Sequence, residues 1–218
     1  MKRTLSLVLA VIMCICMIPA VSAASTMTFT DVPTTEWYYN DVKNAYESGL
    51  INGKSAEFFK PEDHLLYCEA VKLAACMNQL YYDGAVSLVN GDPWYATFVE
   101  YCLDEGIISK LYEWEEKATR AGYMEIFASA LPDEALPVIN NVPAGSIPDV
   151  PVHHPQAAAI YKLYRAGILQ GNDAVTHICK PDDNIKRSEV AAILSRMMDP
   201  TKRVKFSMGD PMEIAVQP

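Results

Sequence analysis

Apolar residues recur three and four positions apart in six stretches of this 218-residue chain, with polar residues between them. That spacing places the apolar side chains on one face of an α-helix. The six stripes occur in three pairs, and a loop joins the two members of each pair. They comprise Trp37, Tyr38, Val42, Ala45 and Tyr46; Ala70, Leu73, Ala74 and Met77; Tyr95, Phe98, Val99 and Cys102; Met124, Phe127, Ala128 and Leu131; Ala157, Ile160, Tyr161 and Tyr164; and Val190, Ile193, Leu194 and Met197. The pattern predicts an all-α fold.

Matched positions suggest that the three helix pairs are copies of one helix–loop–helix unit. The first helix of each unit is predicted to end at a glycine, the residue favoured just past a helix C-terminus. These glycines are Gly49, Gly106 and Gly167. Asp31 and Asp149 each precede the glycine of their unit by 18 residues, and Trp37 and Trp94 each precede theirs by 12. A repeat of about 60 residues is too short to bury its own apolar face, so the three units are expected to share one core.

The boundaries follow from breaks in the helical pattern. In the second unit, Asp92 is a suitable N-cap and Pro93 a suitable first helical residue. The C-terminal segment is short and has no helical apolar pattern, so we expect it to be loosely ordered. The predicted segments are a signal peptide at 1–23, a first unit at 29–82, a degenerate second unit at 88–131, a proline-rich linker at 132–146, a third unit at 147–199 and a C-terminal tail at 200–218.

The N-terminus has the three regions of an export signal. A basic start, Met1-Lys2-Arg3, precedes an apolar run from Leu5 to Ile18 and a small-residue cleavage site, Val21-Ser22-Ala23. This predicts a secreted protein. No later stretch is long and apolar enough to span a membrane.

The acidic balance limits the classes of ligand. The formal net charge is −9, and loss of Lys2 and Arg3 with the signal would make it −11. Such a surface repels nucleic acid and anionic lipid at long range. An anionic ligand would therefore need a local cluster of donors. Arg120 and Arg187 each stand in the first turn of a predicted helix, where unpaired N–H groups and the helix dipole favour an anion.

Four cysteines follow the signal: Cys68, Cys76, Cys102 and Cys179. Cys68 and Cys76 lie eight residues apart on one predicted helix, roughly 12 Å along its axis, which is too far for a disulfide. A pair such as Cys68–Cys179 and four buried free thiols both remain open at this stage.

The sequence resembles three tandem S-layer homology repeats. The motif runs approximately Phe-x-Asp-Val, Trp, helix, Gly-Ile-Ile-x-Gly, Phe-x-Pro and Thr-Arg-Ala-Glu. Matches are Phe29, Asp31, Trp37, Gly49, Gly53, Phe59, Pro61 and Glu69 in the first unit; Trp94, Gly106, Ile107, Ile108, Thr119, Arg120 and Ala121 in the second; and Asp149, Val150, Gly167, Ile168, Gly171, Pro181, Ile185, Arg187 and Glu189 in the third. The resemblance covers about residues 29–199.

The resemblance implies a pseudo-threefold bundle that anchors an exported protein non-covalently to a bacterial cell wall. Its partner would be a secondary cell-wall polysaccharide, often bearing an acidic pyruvyl ketal, with surface-layer proteins as further partners. A guanidinium fork is suited to the carboxylate of such a ketal. The glycan-binding residues expected on this basis are Arg120, Arg187, Trp37, Trp94, Gly53, Gly171 and Lys186.

The resemblance implies that the polysaccharide binds in grooves between the repeats. Four departures from the motif leave at most two of these grooves with the residues needed to bind it. Tyr67 replaces the arginine of the first unit, and Gly122 replaces the glutamate of the second. In the third unit, Lys186 replaces threonine and Pro155 replaces tryptophan. The alternative is therefore a secreted module that acts in protein–protein or surface-layer interactions without binding glycan.

No catalytic or metal-binding pattern is found in the sequence. His153, His154, His177 and Cys179 lack the spacing of a zinc motif. No nucleophile, phosphate-binding or Cys/His signature occurs, and no residues are left over for a hydrolase domain. We expect a non-enzymatic protein without a cofactor.

Overall fold

The computed structural model describes residues 26–209, which form an all-α fold and contain no strand. The α-helices are α1 (Tyr39–Glu47), α2 (Tyr67–Asp83), α3 (Ala96–Asp104), α4 (Arg120–Ala128), α5 (Ala157–Arg165) and α6 (Arg187–Met198). Short 3₁₀ turns lie at Asp133–Ala135 and Pro200–Lys202. The predicted fold class is confirmed. Within this described part, no helix is long and apolar enough to cross a bilayer. The predicted signal peptide lies outside the described residues.

The helices pack in a cyclic order. The first helix of each pair contacts the second helix of a different pair: α1 packs on α6, α3 on α2 and α5 on α4. In addition, α2 packs on α4. The apolar stripes predicted from sequence therefore face one another across pairs, and one core is formed by all three. Its largest fully buried side chains include Phe59, Phe98 and Phe127.

A ring of three backbone hydrogen bonds closes the centre of this arrangement. The N–H of Leu65 donates to the carbonyl of Ile185 (3.1 Å), Ile185 donates to Ala118 (3.1 Å), and Ala118 donates back to Leu65 (2.8 Å). All three residues are completely buried. Each lies two residues before α2, α4 or α6, so the ring brings the N-termini of these three helices together.

Helix ends agree with the sequence analysis in one respect and differ in another. Gly49, Gly106 and Gly167 follow α1, α3 and α5 with φ values of +76°, +68° and +72°, the left-handed conformation predicted for them. The start of α3 was predicted at Pro93, which is wrong. Pro93 accepts the N–H of Ala96 at 2.8 Å and so belongs to a preceding turn, and α3 begins at Ala96.

The proline-rich segment at 132–146 and the tail residues 200–208 pack against each other and against α5. The buried side chain of Asn140 joins them: its Nδ2 donates to the carbonyl of Tyr164 (3.0 Å), and its Oδ1 accepts the N–H of Phe206 (3.0 Å). The prediction of a loosely ordered tail is therefore wrong for residues 200–208. Residues 200–208 are held in place by backbone contacts, and the apolar pattern of the sequence does not reveal such contacts.

Cys68, Cys76, Cys102 and Cys179 are free and buried, so the thiol interpretation is confirmed. Burial raises the pKa of Cys68 and Cys179 to about 11 and that of Cys102 to about 12. All three thiols are therefore neutral at physiological pH.

One buried polar atom in α4 lacks a partner and provides a test of the packing. The Tyr123 ring stacks on Phe127 at 4.2 Å, and its completely buried hydroxyl makes no hydrogen bond. Tyr123→Phe should leave the free energy of unfolding unchanged or raise it by about 1 kcal/mol, because an unsatisfied hydroxyl is desolvated without compensation. Urea unfolding measures this directly.

Tyr161→Phe is the matched control. The Tyr161 hydroxyl accepts from Gly145 N–H (2.8 Å) and donates to the Val150 carbonyl (3.0 Å), so its removal should cost about 1–3 kcal/mol. Equal losses for the two variants would contradict the assignment of an unpaired Tyr123 hydroxyl.

Candidate binding clefts

The N-termini of α2, α4 and α6 each dock into the interhelical loop of another pair. At α6, the N–H groups of Arg187 and Ser188 donate to the carbonyls of Asp63 (2.9 Å) and Pro61 (3.0 Å). Equivalent bonds join α4 to Asp183 and Pro181, and α2 to Glu116 and Trp114. The unpaired helix N–H groups on which the sequence-based anion argument relied are thus partly occupied by the protein itself. Anion recognition in these clefts would rest on side chains instead.

Asp31 and Asp149 fix the shape of two of the receiving loops. The two carboxylate oxygens of Asp31 accept the N–H groups of Phe59 and Lys60, both at 2.8 Å. Asp149 accepts those of Cys179 (2.8 Å) and Lys180 (2.7 Å) in the same way. The matched aspartates of the motif therefore serve the fold.

Three clefts between helix pairs are named by the side chains at the N-termini of α2, α4 and α6: cleft A contains Arg120 and Glu189, cleft B contains Arg187 and Glu69, and cleft C contains Tyr67 and Gly122. Arg187 lies in cleft B. The side chain is 4% exposed, and Nε and Nη2 donate to the carbonyls of Phe59 (3.0 Å) and Asn52 (2.6 Å). The guanidinium stacks over the Phe59 ring at 4.7 Å, and Nη1 lies 3.7 Å from Glu69. Glu69 also pairs with Lys54, which stands at the mouth of the cleft. Burial lowers the pKa of Arg187, whereas Glu69 opposes that shift.

Arg120 occupies the equivalent position in cleft A, between α6 and the loop that precedes it. The side chain is 7% exposed; Nε donates to the carbonyl of Cys179 (2.7 Å), and Nη1 pairs with Glu189. Glu189 also accepts the N–H of Lys186 at 3.0 Å. One carboxylate thus both caps α6 and holds Arg120 of a different helix pair.

Cleft A has a volume of about 570 Å³, within the range of small-ligand sites. Its wall includes Trp37, whose side chain is 63% exposed. The charged residues that line it are the cations Arg120, Lys180, Lys186 and Arg196, and the carboxylates Glu62, Asp183 and Glu189. Lys186 donates to Glu62 at 2.6 Å, a hydrogen bond that raises the pKa of the lysine.

The structure brings four of the seven predicted site residues together in one cleft. Trp37, Arg120, Gly171 and Lys186 line cleft A together. Arg187 lies in cleft B, where its Nη2 bonds the carbonyl of the residue before Gly53. Trp94 precedes α3, which packs on α2, and its 37% exposed ring has Lys72 Nζ at 5.5 Å.

Both glycines are explained by packing within the protein. A Cβ on Gly53 would lie 2.5 Å from the Phe29 ring, and one on Gly171 would lie 2.5 Å from the backbone of His177. Gly171 also has a φ of +90°. Packing therefore accounts for glycine at both positions without contact to a sugar.

Sequence reasoning missed Lys180, Arg196 and Glu189 as cleft A residues. Glu189 and Arg196 are two turns apart on α6, a spacing that places them on one face of the helix. Lys180 has a φ of +53° in the loop held by Asp149. The helical period could have identified Arg196, whereas the position of Lys180 depends on the loop.

In cleft C, tyrosine takes the place of arginine. Tyr67 is the first residue of α2 and lies over Tyr112, with ring centroids 4.7 Å apart and an interplanar angle of 24°. Its hydroxyl lies 3.3 Å from Thr119 Oγ1. Thr119 also accepts the Gly122 N–H at 3.0 Å and so caps the N-terminus of α4, although the glutamate of the motif is absent.

No metal site accompanies these clefts. Among residues 26–209, no group of three or more His, Cys, Asp and Glu side chains is placed to hold a metal ion.

Comparisons with known proteins agree with the family resemblance in two regions. Residues 28–70 and 146–191 match the family model of the S-layer homology domain. The chain is also similar to the Surface-layer 125 kDa protein of Lysinibacillus sphaericus, with 29% identity over 90 residues. That alignment covers 39% of this chain and 8% of the relative. The resemblance is thus confirmed for the first and third units. The assignment of residues 88–131, the second unit, as another copy of the repeat stays a prediction.

The buried arginines should matter for stability before any ligand is considered. Arg187→Met should lower the free energy of unfolding by about 3–5 kcal/mol, because two carbonyls and Glu69 lose a buried charged partner. Lys54→Met, which removes the exposed partner of the same Glu69, should cost within about 1 kcal/mol. Urea unfolding at constant m-value gives both numbers. Losses of equal size would contradict the structural role assigned to Arg187.

Proposed function

We propose that this protein attaches non-covalently to a bacterial cell wall by binding an acidic wall polysaccharide, with cleft A as the principal site. The single observation that carries the proposal is the composition of that cleft. Four cationic side chains and an exposed tryptophan line one cavity of about 570 Å³. The matches to the S-layer homology domain and to a surface-layer protein support location at the cell surface.

The charge of cleft A supports an anionic ligand. Its four cations outnumber its three carboxylates, although the chain as a whole carries a formal net charge of −9. A local positive site on an acidic protein attracts an anion only at short range, which favours a specific group over a general polyanion. A pyruvyl ketal presents one carboxylate on a sugar ring, and this combination suits a lysine or guanidinium beside an indole face.

Cleft A is better equipped than cleft B for this ligand. The hydrogen bonds and ion pair of Arg120 use Nε and Nη1, and among the described residues Nη2 makes no such bond. Arg187, in contrast, uses Nε and Nη2 for carbonyls and Nη1 for Glu69. In addition, Lys54 forms an ion pair with Glu69, the carboxylate of cleft B.

We also propose that residues 88–131 are a diverged third copy of the repeat and that the protein is not an enzyme. The docking bonds of α2 onto the loop before α4 support the first point, since they repeat those made by the other two helix N-termini. The role assigned to the protein is attachment, with surface-layer proteins as partners.

Trp37→Ala tests the proposal without disturbing the buried arginines. Binding of the purified protein to cell-wall sediments should fall about tenfold, the change expected if the sugar loses an indole contact worth about 1.4 kcal/mol. Tyr82→Ala is the control, since this aromatic side chain is equally exposed (61%) at the far end of α2. Walls stripped of polysaccharide should bind neither variant.

The alternative function is protein–protein interaction without glycan binding. It is favoured by the fact that Arg120 and Arg187 are already paired with carboxylates inside the protein. Equal binding of both variants to walls, or binding that survives removal of the polysaccharide, would support this alternative and reject the glycan proposal.

A further inference from the structure

We infer that Tyr67 and Gly122 form a size-matched pair that closes cleft C and confines ligand binding to the other two clefts. The closure is a statement about this fold. Its consequence for ligand binding rests on the proposed function. The pair replaces the arginine and glutamate that cleft A holds as Arg120 and Glu189 and cleft B as Arg187 and Glu69.

The space of the missing glutamate is filled by the tyrosine. A Cβ on Gly122 would overlap the hydroxyl of Tyr67 and lie 2.8 Å from its Cε1. Gly122 lies inside α4 and has no left-handed backbone angle, so its conformation does not require glycine. Glycine within a helix costs roughly 1 kcal/mol relative to alanine. The proximity of Tyr67 accounts for it.

Tyr67 keeps the ring contact that the arginine makes elsewhere. In cleft B, the Arg187 guanidinium lies 4.7 Å from the centroid of Phe59; in cleft C, the Tyr67 ring lies 4.7 Å from that of Tyr112. A planar group therefore packs on an aromatic ring in both clefts. The charge is lost, and with it the demand for a carboxylate partner at position 122.

One further substitution closes the outer part of cleft C. Lys110 stands four residues after Gly106, as Gly53 and Gly171 do after their own glycines. Its Nζ pairs with Glu125 at 2.7 Å, and the Tyr112 hydroxyl donates to the same carboxylate at 3.0 Å. An ion pair thus lies where the other loops have no side chain.

Tryptophan is also absent from the corresponding position. Trp37 and Trp94 each stand 12 residues before the glycine that ends their helix, and Pro155 stands 12 residues before Gly167. The helix that follows Pro155, α5, packs on α4, whose first turns contain Gly122. Cleft C therefore lacks the arginine, the glutamate and the loop glycine of the other clefts, and it lacks a tryptophan at the position that Pro155 takes.

A double-mutant cycle tests the pair independently of any ligand. Gly122→Ala in the wild-type background should lower the urea midpoint, because the new methyl group overlaps Tyr67. In a Tyr67→Ala background, the same substitution should raise the midpoint, because alanine favours the helix. A change of sign between backgrounds supports the inference. A Gly122→Ala substitution that stabilises both backgrounds would overturn it.

Restoring the missing groups tests the consequence for binding. The variant Tyr67→Arg/Gly122→Glu/Lys110→Gly restores the arginine, the glutamate and the loop glycine that clefts A and B contain, and leaves Pro155 unchanged. Oligosaccharide fragments of purified wall polysaccharide, titrated in native mass spectrometry, should occupy one more site on this variant than on wild type. An unchanged number of sites on a folded variant would overturn the binding part of the inference.

Failure of the proposed function gives a different result. Wild-type protein that takes up no fragment while the cycle changes sign would reject glycan binding and retain the closed cleft.

Discussion

Three backbone hydrogen bonds among Leu65, Ala118 and Ile185 link the three helix pairs at the centre of the molecule. Each bond joins residues more than 50 positions apart in the chain, and each connects two different helix pairs. The bonds are completely buried, and breaking one would leave an unsatisfied donor and acceptor in the core. Because the ring sets the positions of the N-termini of α2, α4 and α6, it also sets the geometry of every cleft between pairs.

The same arginines serve the fold and the candidate sites. Arg120 and Arg187 each cross from one helix pair to the loop of another and satisfy carbonyls there. This role accounts for a guanidinium in a buried position, since it offers several donors in a fixed plane. It also makes cleft A differ from cleft B, because an arginine that makes more contacts within the protein presents fewer N–H groups to a ligand. The difference between Arg120 and Arg187 arises from Asn52 and Lys54, which surround only the latter.

The sequence predicts the elements of this fold better than their connections. The glycines at 49, 106 and 167 end their helices as expected, because a left-handed residue after a helix is a local requirement. The apolar periodicity likewise places Phe98 and Ile193 in the core. In contrast, the cyclic pairing of α1 with α6 and the packing of the tail depend on long-range contacts. Local patterns do not encode them.

The candidate site was predicted in part for the same reason. A helix N-terminus suggested an anion site at Arg120, yet its backbone N–H donates to Asp183 of another helix pair. The sequence also showed Tyr67 and Gly122 as separate departures from a motif. Only their contact across α2 and α4 shows that one substitution compensates for the other. Recognition of such a pair requires knowledge of which helices contact each other, here α2 and α4.

The three tryptophans of the chain offer the most direct test of where a ligand binds. Trp37 lines cleft A, Trp94 lies beside Lys72 of α2, and Trp114 lies beside Tyr112 at cleft C. Their indole N–H resonances can be followed in one ¹H–¹⁵N spectrum during titration with fragments of wall polysaccharide. The structure predicts that the Trp37 resonance shifts most and the Trp114 resonance remains in place. A shift of Trp114 alone, or of none of the three at saturating polysaccharide, would contradict this account.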